Sequence, residues 1–496
     1  MFRRRESVVI HVAGLAVAIG GLGMLAAAIV ETIDGGTETV ELYACAAGSG
    51  AVGFAMNRWS LLPPRIDTRS VFSAVTAAWV ALAVASSVLY LVTGTFSSFA
   101  DGMFESISGF TTTGASVLDP IEGTPAGVLF WRSTTQWLGG MGVIVLVVAV
   151  LPLLGVGGME LLAAEAPGPS DERLTPRVRY TAQRLWAVYV GFTVAIVIAY
   201  LAGGMSVFDA VNHSFTTIST GGFSTHDASF AHFDSAYLEW AAVVSMFAAG
   251  ASFTMYWRAL RGKPFVLFRS PEARVYLLLV LTVTGVALVA NRSELGLGHD
   301  AIRDSLFTVV SIASTTGYVL VDYTRWAVSP QVLLLVLMGI GAMAGSTAGG
   351  FKVVRTMAIG GYARRELLRA LHPRMVRPVR VGRNSLDERI VSRIMGFLVL
   401  FLGTILVGTV VMAAFGEDIV TSLSATTSAI GNVGPALGTL GDGNFSGVDL
   451  GTEITATVVM LLGRLEIFPV LLAFAALPRW WAHRDHERRA KRALRH

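Results

Sequence analysis

Charge is what this chain has least of. Asp, Glu, Lys and Arg supply 15% of its 496 residues, against roughly 25% in an ordinary soluble domain. Cysteine is nearly absent: Cys45 stands alone, which excludes an intrachain disulfide and a thiolate metal site. No glycine-rich nucleotide motif follows a strand-like run, and no low-complexity linker sets off a soluble domain. The apolar stretches hold no paired carboxylates, histidine cluster or nucleophile beside a base, so the sequence reads as a protein that is not an enzyme. His213 has no partner at metal-ligand spacing and reads as a buried packing or hydrogen-bonding residue.

What is present is apolar sequence, 53% of the residues. Its long runs make the chain a polytopic α-helical membrane protein. Ten full spans are expected, at 8–30, 39–58, 70–93, 126–154, 182–202, 236–257, 273–290, 329–360, 388–415 and 451–478. The first is too long for a signal-peptide core and has no obvious cleavage site, so it is expected to remain as a span.

A short pattern recurs between these spans. It reads Thr111-Thr112-Thr113-Gly114, Ser219-Thr220-Gly221-Gly222, Ser314-Thr315-Thr316-Gly317 and Gly431-Asn432-Val433-Gly434. In the first three copies an aspartate (Asp101, Asp209, Asp304) precedes the last glycine by 13 residues, since 114−101, 222−209 and 317−304 agree; Thr421 takes that place in the fourth. Four copies in one register indicate an internal repeat. Each preceding segment is about 18 Å long as a helix, too short for a ~30 Å hydrocarbon core. The aspartate suits the positive end of such a helix, and the glycine lets the backbone turn back with its carbonyls exposed. Rings of backbone carbonyls replace the water shell of potassium in selectivity filters.

The fold expected is therefore all-α and polytopic. Two N-terminal helices are followed by four helix–pore-helix–filter–helix repeats around one pseudo-four-fold pore. The divisions are 1–69 for the N-terminal pair, then 70–181, 182–272, 273–387 and 388–478 for the repeats, and 479–496 for a basic tail. Basic residues mark every second connection: Arg3 to Arg5; Arg58, Arg65 and Arg69; Arg173 to Arg184; Arg258 to Arg274; Arg355 to Arg393; and Arg479 onwards. By the positive-inside rule these loops and both termini are cytoplasmic, and the filters enter from outside. Glu31 and Asp34 fall in the first outer loop. The tail either meets anionic lipid or a partner, or is a solvated topology signal.

Four such units behind an extra helix pair resemble the Trk/Ktr/HKT superfamily of potassium transporters, most closely its bacterial Trk-type branch. The motifs Gly109-Phe110-Thr111-Thr112-Thr113-Gly114, Ser219-Thr220-Gly221-Gly222-Phe223-Ser224-Thr225 and Gly431-Asn432-Val433-Gly434-Pro435 carry the likeness, which covers nearly the whole chain. The resemblance implies potassium uptake across the cytoplasmic (inner) membrane. It implies a homodimer seated on a cytosolic ring of nucleotide-binding regulatory subunits, with membrane lipid around it and no nucleic acid. No covalent cofactor is expected; potassium is the transported ion, and nucleotide belongs to the partner. The filter falls on Thr112, Thr113, Gly114, Thr220, Gly221, Gly222, Thr315, Thr316, Gly317, Asn432, Val433 and Gly434. Plant relatives that prefer sodium carry serine at the first glycine, so Gly114 implies potassium.

Two further features fit the likeness. The run from Gly339 to Gly350 inside the eighth expected span is too rich in small residues for a good helix. It resembles the family's intramembrane gate loop, with Gly345, Ser346, Thr347, Gly349, Gly350 and Lys352 as gate residues; close helix packing is the other reading. Arg464 in the last span resembles the family's pore arginine, or else pairs with Glu466. A positive charge ~6 Å from a passing cation costs about 2–3 kcal/mol at an effective dielectric of 20. Asp101 and Glu105 read as cation-focusing groups at the mouth, or in the case of Asp101 as a helix cap. Residues 248–253 read as a kink or a dimer contact. Against the channel stands an alternating-access carrier for sodium or a small solute, but carriers tend to inverted repeats with spans broken at the midplane.

Overall fold

The helices start where polar side chains can cap them. Ser7 accepts the Ile10 N–H at 3.3 Å and opens α1 (Val8–Asp34). Ser270, with Pro271 behind it, accepts the Ala273 N–H at 3.4 Å and opens Pro271–Ala290. The computed structural model describes residues 5–63, 68–149, 175–382, 384–468 and 470–471. Arg3, Arg4, Arg65, Arg173 and the tail from Arg479 lie outside the described residues, as do the far ends of the expected spans 126–154 and 451–478.

After α1 come α2 (Thr39–Trp59), α3 (Thr68–Val92), α4 (Phe99–Phe110) and α5 (Ala126–Ala149). The second repeat is α6 (Thr175–Ala202), α7 (Val207–Ile218), α8 (Ala236–Ala249) and α9 (Phe253–Leu260). The third is α10 (Pro271–Ala290), α11 (His299–Ala313), α12 (Val328–Ile340) and α13 (Val353–Leu371). The fourth is α14 (Glu388–Ala414), α15 (Ile419–Gly431) and α16 (Leu450–Arg464). The molecule is thus a helical membrane protein of the expected class, with only two-residue strands at Arg5–Glu6 with Ser60–Leu61 and at Arg380–Val381 with Asn384–Ser385 among the described residues.

The expected spans are less uniform than their composition suggests. Among the described residues five helices are singly long and apolar enough to cross a membrane: Val8–Asp34, Ser70–Val92, Tyr180–Ala202, Pro271–Ala290 and Glu388–Ala414. The expected span 236–257 is α8 and α9, bent by 96° at residues 250–252. Of the two readings of 248–253, a kink or a dimer contact, the kink is therefore present. The expected span 329–360 is likewise split into α12 and α13 by non-helical residues 341–352. Both breaks contain glycine, Gly250 in the first and Gly341, Gly345, Gly349 and Gly350 in the second, and glycine weakens a helix by about 1 kcal/mol each relative to alanine.

Packing closes the repeats into one body. The second and third repeats share a core that includes Tyr189, Phe253, Tyr276 and Phe307. The fourth repeat packs with the first around Phe104, Phe397, Phe401 and Phe445. The N-terminal pair lies against the first repeat through Met24, Leu42, Phe110 and Trp131. Glu31, expected in an outer loop, is instead buried in the last turn of α1, where its Oε2 accepts the Gly127 N–H at 2.7 Å and caps α5.

The α1–α2 crossing depends on small residues. A Cβ on Gly53 would lie 2.6 Å from both the Ala18 nitrogen and the Gly14 carbonyl oxygen, which are backbone atoms and cannot turn aside. Gly53→Leu should therefore cost about 1–3 kcal/mol, outweighing the ~1 kcal/mol gained from helix propensity. The expected readout is a lower unfolding midpoint for the purified variant in detergent; an unchanged midpoint would mean the pair is not closely crossed.

Candidate functional site: a ring of four strands and the loop beneath it

Each of the four short helices α4, α7, α11 and α15 ends in the same way. The N–H of Thr112 reaches back to the Gly109 carbonyl at 2.9 Å, and that of Thr113 to the Ser108 carbonyl at 2.8 Å. The same pair of bonds joins Thr220 to Thr217 and Gly221 to Thr216, Thr315 to Ile312 and Thr316 to Ser311, and Asn432 to Ala429 and Val433 to Ser428. This is the double hydrogen bond of a helix closed by a left-handed residue. That residue is Thr112, Thr220, Thr315 or Asn432, with φ of 53°, 56°, 58° and 53°. Asn tolerates this region, but a β-branched residue in it is strained, by about 1–3 kcal/mol each.

The glycine two residues later is left-handed again: φ is 87° at Gly114, 79° at Gly222, 80° at Gly317 and 98° at Gly434. A Cβ on Gly114 would fall nearer than 3.0 Å to the Gly221 carbonyl oxygen. On Gly222 it would meet the Thr316 oxygen, on Gly317 the Val433 oxygen, and on Gly434 the Thr113 oxygen. The contacts run from the first strand to the second, third and fourth and back to the first. All twelve residues read from the sequence as filter residues therefore come together in one closed ring.

Each junction of the ring carries a buried hydrogen bond. Between the first and second strands, Gln136 of α5 donates to the Gly221 carbonyl at 2.8 Å and accepts the Phe223 N–H at 3.1 Å. A Cβ on Gly221 would collide with that carboxamide, so this copy has two successive glycines for two different reasons. Between the second and third, the Tyr318 hydroxyl lies 2.5 Å from Thr216 Oγ1 and donates to the His213 carbonyl at 3.0 Å. Between the third and fourth, the Tyr323 hydroxyl donates to the Ala436 and Gly441 carbonyls at 2.7 and 2.8 Å. Between the fourth and first, Asn432 Nδ2 donates to Thr113 Oγ1 at 3.0 Å.

The expected cation-focusing role of Glu105 is corrected by its surroundings. Glu105 is fully buried and pairs with Arg132 of α5 at 2.7 Å. It also accepts from the Ser116 hydroxyl at 3.0 Å and the Val117 N–H at 3.1 Å. Arg132 donates onward to the Ser224 carbonyl at 3.2 Å and lies over the Phe223 ring at 4.2 Å. The pair braces the segments after the first and second strands and offers no free charge to the mouth. Asp101 and Asp209 sit in the first turns of α4 and α7 as expected, but Asp304 does not, because α11 begins earlier, at His299. Asp418 rather than Thr421 caps α15, accepting from Val420 and Thr421. His213 is buried, bonded to the Asp209 carbonyl at 2.9 Å and to Ser224 Oγ at 3.1 Å, as its reading required.

Beneath the ring lies the non-helical segment 341–352. Thr347 donates to the Ile218 carbonyl at 2.9 Å, at the end of the second short helix. The Gly349 N–H donates to Thr315 Oγ1 of the third strand at 2.8 Å, and a Cβ on Gly349 would overlap the Gly431 carbonyl of the fourth. Gly345 and Gly350 hold φ of 75° and 76°. The loop also joins the broken second repeat: Met343 N–H donates to Gly250 O at 3.1 Å, and Phe253 N–H to Gly345 O at 3.0 Å. Ser346 closes a turn on Met343 at 2.6 Å. Lys352, at φ 82°, donates from Nζ to the Ala348 carbonyl.

Arg464 reaches this loop directly, donating to the Thr347 carbonyl at 2.8 Å. The alternative pairing with Glu466 is not formed; Glu466 takes Arg355 at 2.6 Å instead. Farther along α13, Arg365 is buried between Glu366 and Glu388, and Arg369 contacts Glu366 at 3.1 Å, while Arg364 is exposed. The residues that sequence reasoning missed are Arg132, Gln136, Tyr318 and Tyr323. Arg132 left a signal, a charge inside an expected span, which requires a buried partner.

The chain is similar to known proteins in sequence and in fold. The model of the TrkH family, described as a cation transport protein, matches residues 38–481. The Trk system potassium uptake protein TrkH of Vibrio parahaemolyticus is 37% identical over 484 residues, 95% of this chain and 99% of that one. Its namesake from Halomonas elongata is 39% identical over 442 residues, 88% and 90% of the two chains. That from Escherichia coli K12 is 37% identical over 423 residues, 84% and 86%. The crystal structure of the potassium transporter TrkH from Vibrio parahaemolyticus superposes with a TM-score of 0.86 at 33% identity, covering 94% of this chain and 97% of that one.

The Arg132–Glu105 pair yields a test. Removing one partner leaves the other charge buried and uncompensated, at a cost of about 3–5 kcal/mol. Arg132→Met should therefore unfold markedly more easily in detergent, and Arg132→Met combined with Glu105→Gln should recover some of the loss. A loss in the double variant equal to the sum of the Arg132→Met and Glu105→Gln losses would mean that the two side chains act independently.

Proposed function

The chain belongs to the TrkH family of cation transport proteins, and on that premise we propose that it takes up potassium across the cytoplasmic membrane through a channel-like pore. The observation that carries this reading is the closed order of strand contacts, in which Gly114, Gly222, Gly317 and Gly434 each abut a carbonyl oxygen of the next strand. Carbonyl dipoles bind a desolvated monovalent cation firmly enough to admit it and weakly enough to release it. In this reading potassium passes the carbonyls of Thr112, Thr113, Thr220, Gly221, Thr315, Thr316, Asn432 and Val433, with Gly114, Gly222, Gly317 and Gly434 completing the strands.

The segment beneath is the gate. Gly345, Ser346, Thr347, Gly349 and Gly350 form its backbone, and Lys352 and Arg464 supply its positive charges. What supports this role is position: the loop bonds to the bases of the second and third strands and abuts the fourth. A gate so placed opens only by exchanging those bonds for others, so whatever favours the exchanged state raises flux. We assign control to a cytosolic nucleotide-binding ring under a homodimer, with both termini cytoplasmic. The basic segment from Arg355 to Arg393 faces that side in this reading. Because Arg365 and Arg369 are already paired within the chain, the exposed Arg364 is the better contact for a partner.

Flux measured in liposomes reconstituted from the full chain tests the proposal. Potassium and rubidium should permeate better than sodium and lithium; equal flux of all four would rule out a selective filter and favour the carrier. Gly114→Ser forces its side chain against the Gly221 carbonyl from a left-handed backbone, so its potassium preference over sodium should fall. Deleting residues 345–348 removes the Thr347 and Arg464 bonds. It should raise basal rubidium flux and keep the same ion order; flux at background from a folded variant would make the loop a packing element.

A further inference from the structure

The mouth above the ring carries a second cluster that conduction does not use. Glu122 follows the first strand, His226 follows the second, and His232 lies in the short 3-10 helix Ser229–Phe233. One ligand atom from each lies within 4.8 Å of the others. The two imidazoles stack with centroids 3.5 Å apart and 4° between their planes, against the Phe233 ring. His226 Nε2 lies 3.3 Å from Asp209 Oδ1 and Nδ1 lies 3.6 Å from Glu122 Oε1, yet neither buried nitrogen makes a hydrogen bond. Buried polar atoms ordinarily find a partner.

The cluster is also held in place. Both Glu122 oxygens accept the Asp227 N–H at 3.0 Å, and Asp227 Oδ1 accepts the Ile121 N–H at 2.7 Å. These bonds staple the segment after the first strand to the segment after the second.

We propose that Glu122, His226 and His232 bind one divalent transition-metal ion of the zinc type, and that the bound ion slows cation influx. Two imidazoles and a carboxylate, with water as fourth ligand, are a set that zinc takes in tetrahedral geometry. Asp209 beside Nε2 favours the tautomer that leaves the Nδ1 lone pair facing Glu122, the arrangement in which a carboxylate orients a ligating histidine. His232 is exposed and free to turn out of the parallel stack, so that both lone pairs converge on one ion. Potassium, a hard cation, does not compete for imidazole nitrogen. His226 lines the same cavity of about 240 Å³ as Gly114, Gly222 and Gly317. Glu122 and His232 lie outside that lining, so the ion would sit at the edge of the cavity, where its charge opposes the attraction that Asp119, Asp227 and Asp442 offer an arriving cation; fields of this kind change arrival rates by about tenfold or more.

The influx half of this inference rests on the conduction reading; the metal-binding half does not. Isothermal titration of the purified full-length chain with zinc chloride, and of the same chain with cobalt chloride followed by its visible absorption, reads binding alone. We expect one zinc per chain and a tetrahedral cobalt spectrum. His226→Ala combined with His232→Ala should abolish both, and Glu122→Gln should weaken binding about tenfold or more. In liposomes, zinc should lower rubidium influx about tenfold for the unaltered chain, reversibly with a chelator, and leave the double variant at its own uninhibited rate. Equal zinc binding by the double variant, or none by the unaltered chain, overturns the site. Binding without slowed influx, or equal slowing in the double variant, overturns the role at the mouth. Basal influx with its potassium preference intact in the double variant shows that it folds, and a failure of that preference in the unaltered chain counts against the conduction reading alone.

Discussion

The contact between a glycine of one strand and a carbonyl oxygen of the next is the constraint on which the rest of the molecule depends. It occurs four times and closes on itself, from Gly114 to Gly221, Gly222 to Thr316, Gly317 to Val433 and Gly434 to Thr113. A side chain at any of these glycines would push neighbouring strands apart, and a gap at one junction of a closed ring disturbs the others. Three β-branched threonines held in the left-handed region add strain at the same place. Strain of this kind persists only where the surroundings over-determine it. Here the surroundings are the four buried junctions made by Gln136, Tyr318, Tyr323 and Asn432, with the Arg132–Glu105 pair behind the first two strands.

The same ring explains why the helices below it are broken. A straight inner helix would pass beside the axis of the ring, whereas the breaks at 250–252 and 341–352 bring backbone groups under the strands. Non-helical backbone at membrane depth has to find its hydrogen bonds within the protein. The two breaks satisfy each other through Met343 with Gly250 and Phe253 with Gly345. Other groups of the third-repeat loop bond to the strand bases, to Arg464 and to Glu272, whose Oε1 accepts the Ala344 N–H at 2.7 Å. The loop is thus continuous by hydrogen bonds with the ring above and by chain with the basic segment that follows it.

Much of this is legible in the sequence because the repeat is local. The register of the four Thr/Gly copies marks the turning glycine, which is left-handed in all four strands, since a helix end and the turn after it involve only neighbours in the chain; it does not mark the left-handed residue two places earlier. The small-residue run likewise announces the break after α12. What joins the copies is not legible. Arg132 and Glu105 are 27 residues apart and Gln136 and Gly221 are 85 apart, and no spacing rule links them. The aspartate register misleads at Asp304 because helix length is set by the cap at the start, while the repeat is fixed at the end. The Arg464 partner is hidden for a similar reason: proximity in sequence suggests Glu466, but the backbone turns at Glu466 and Ile467, with φ of 59° and 54°, and sends the carboxylate to Arg355.

In the proposed reading, four non-identical strands make one cation site on a common axis. Crystals of the full chain soaked in rubidium or thallium salts test it most directly, through anomalous difference density. A peak is expected on the axis of the ring, within coordination distance of the Thr113, Gly221, Thr316 and Val433 carbonyl oxygens. Density confined to the cavity above the ring or to the loop below it, with none between the four strands, would contradict it.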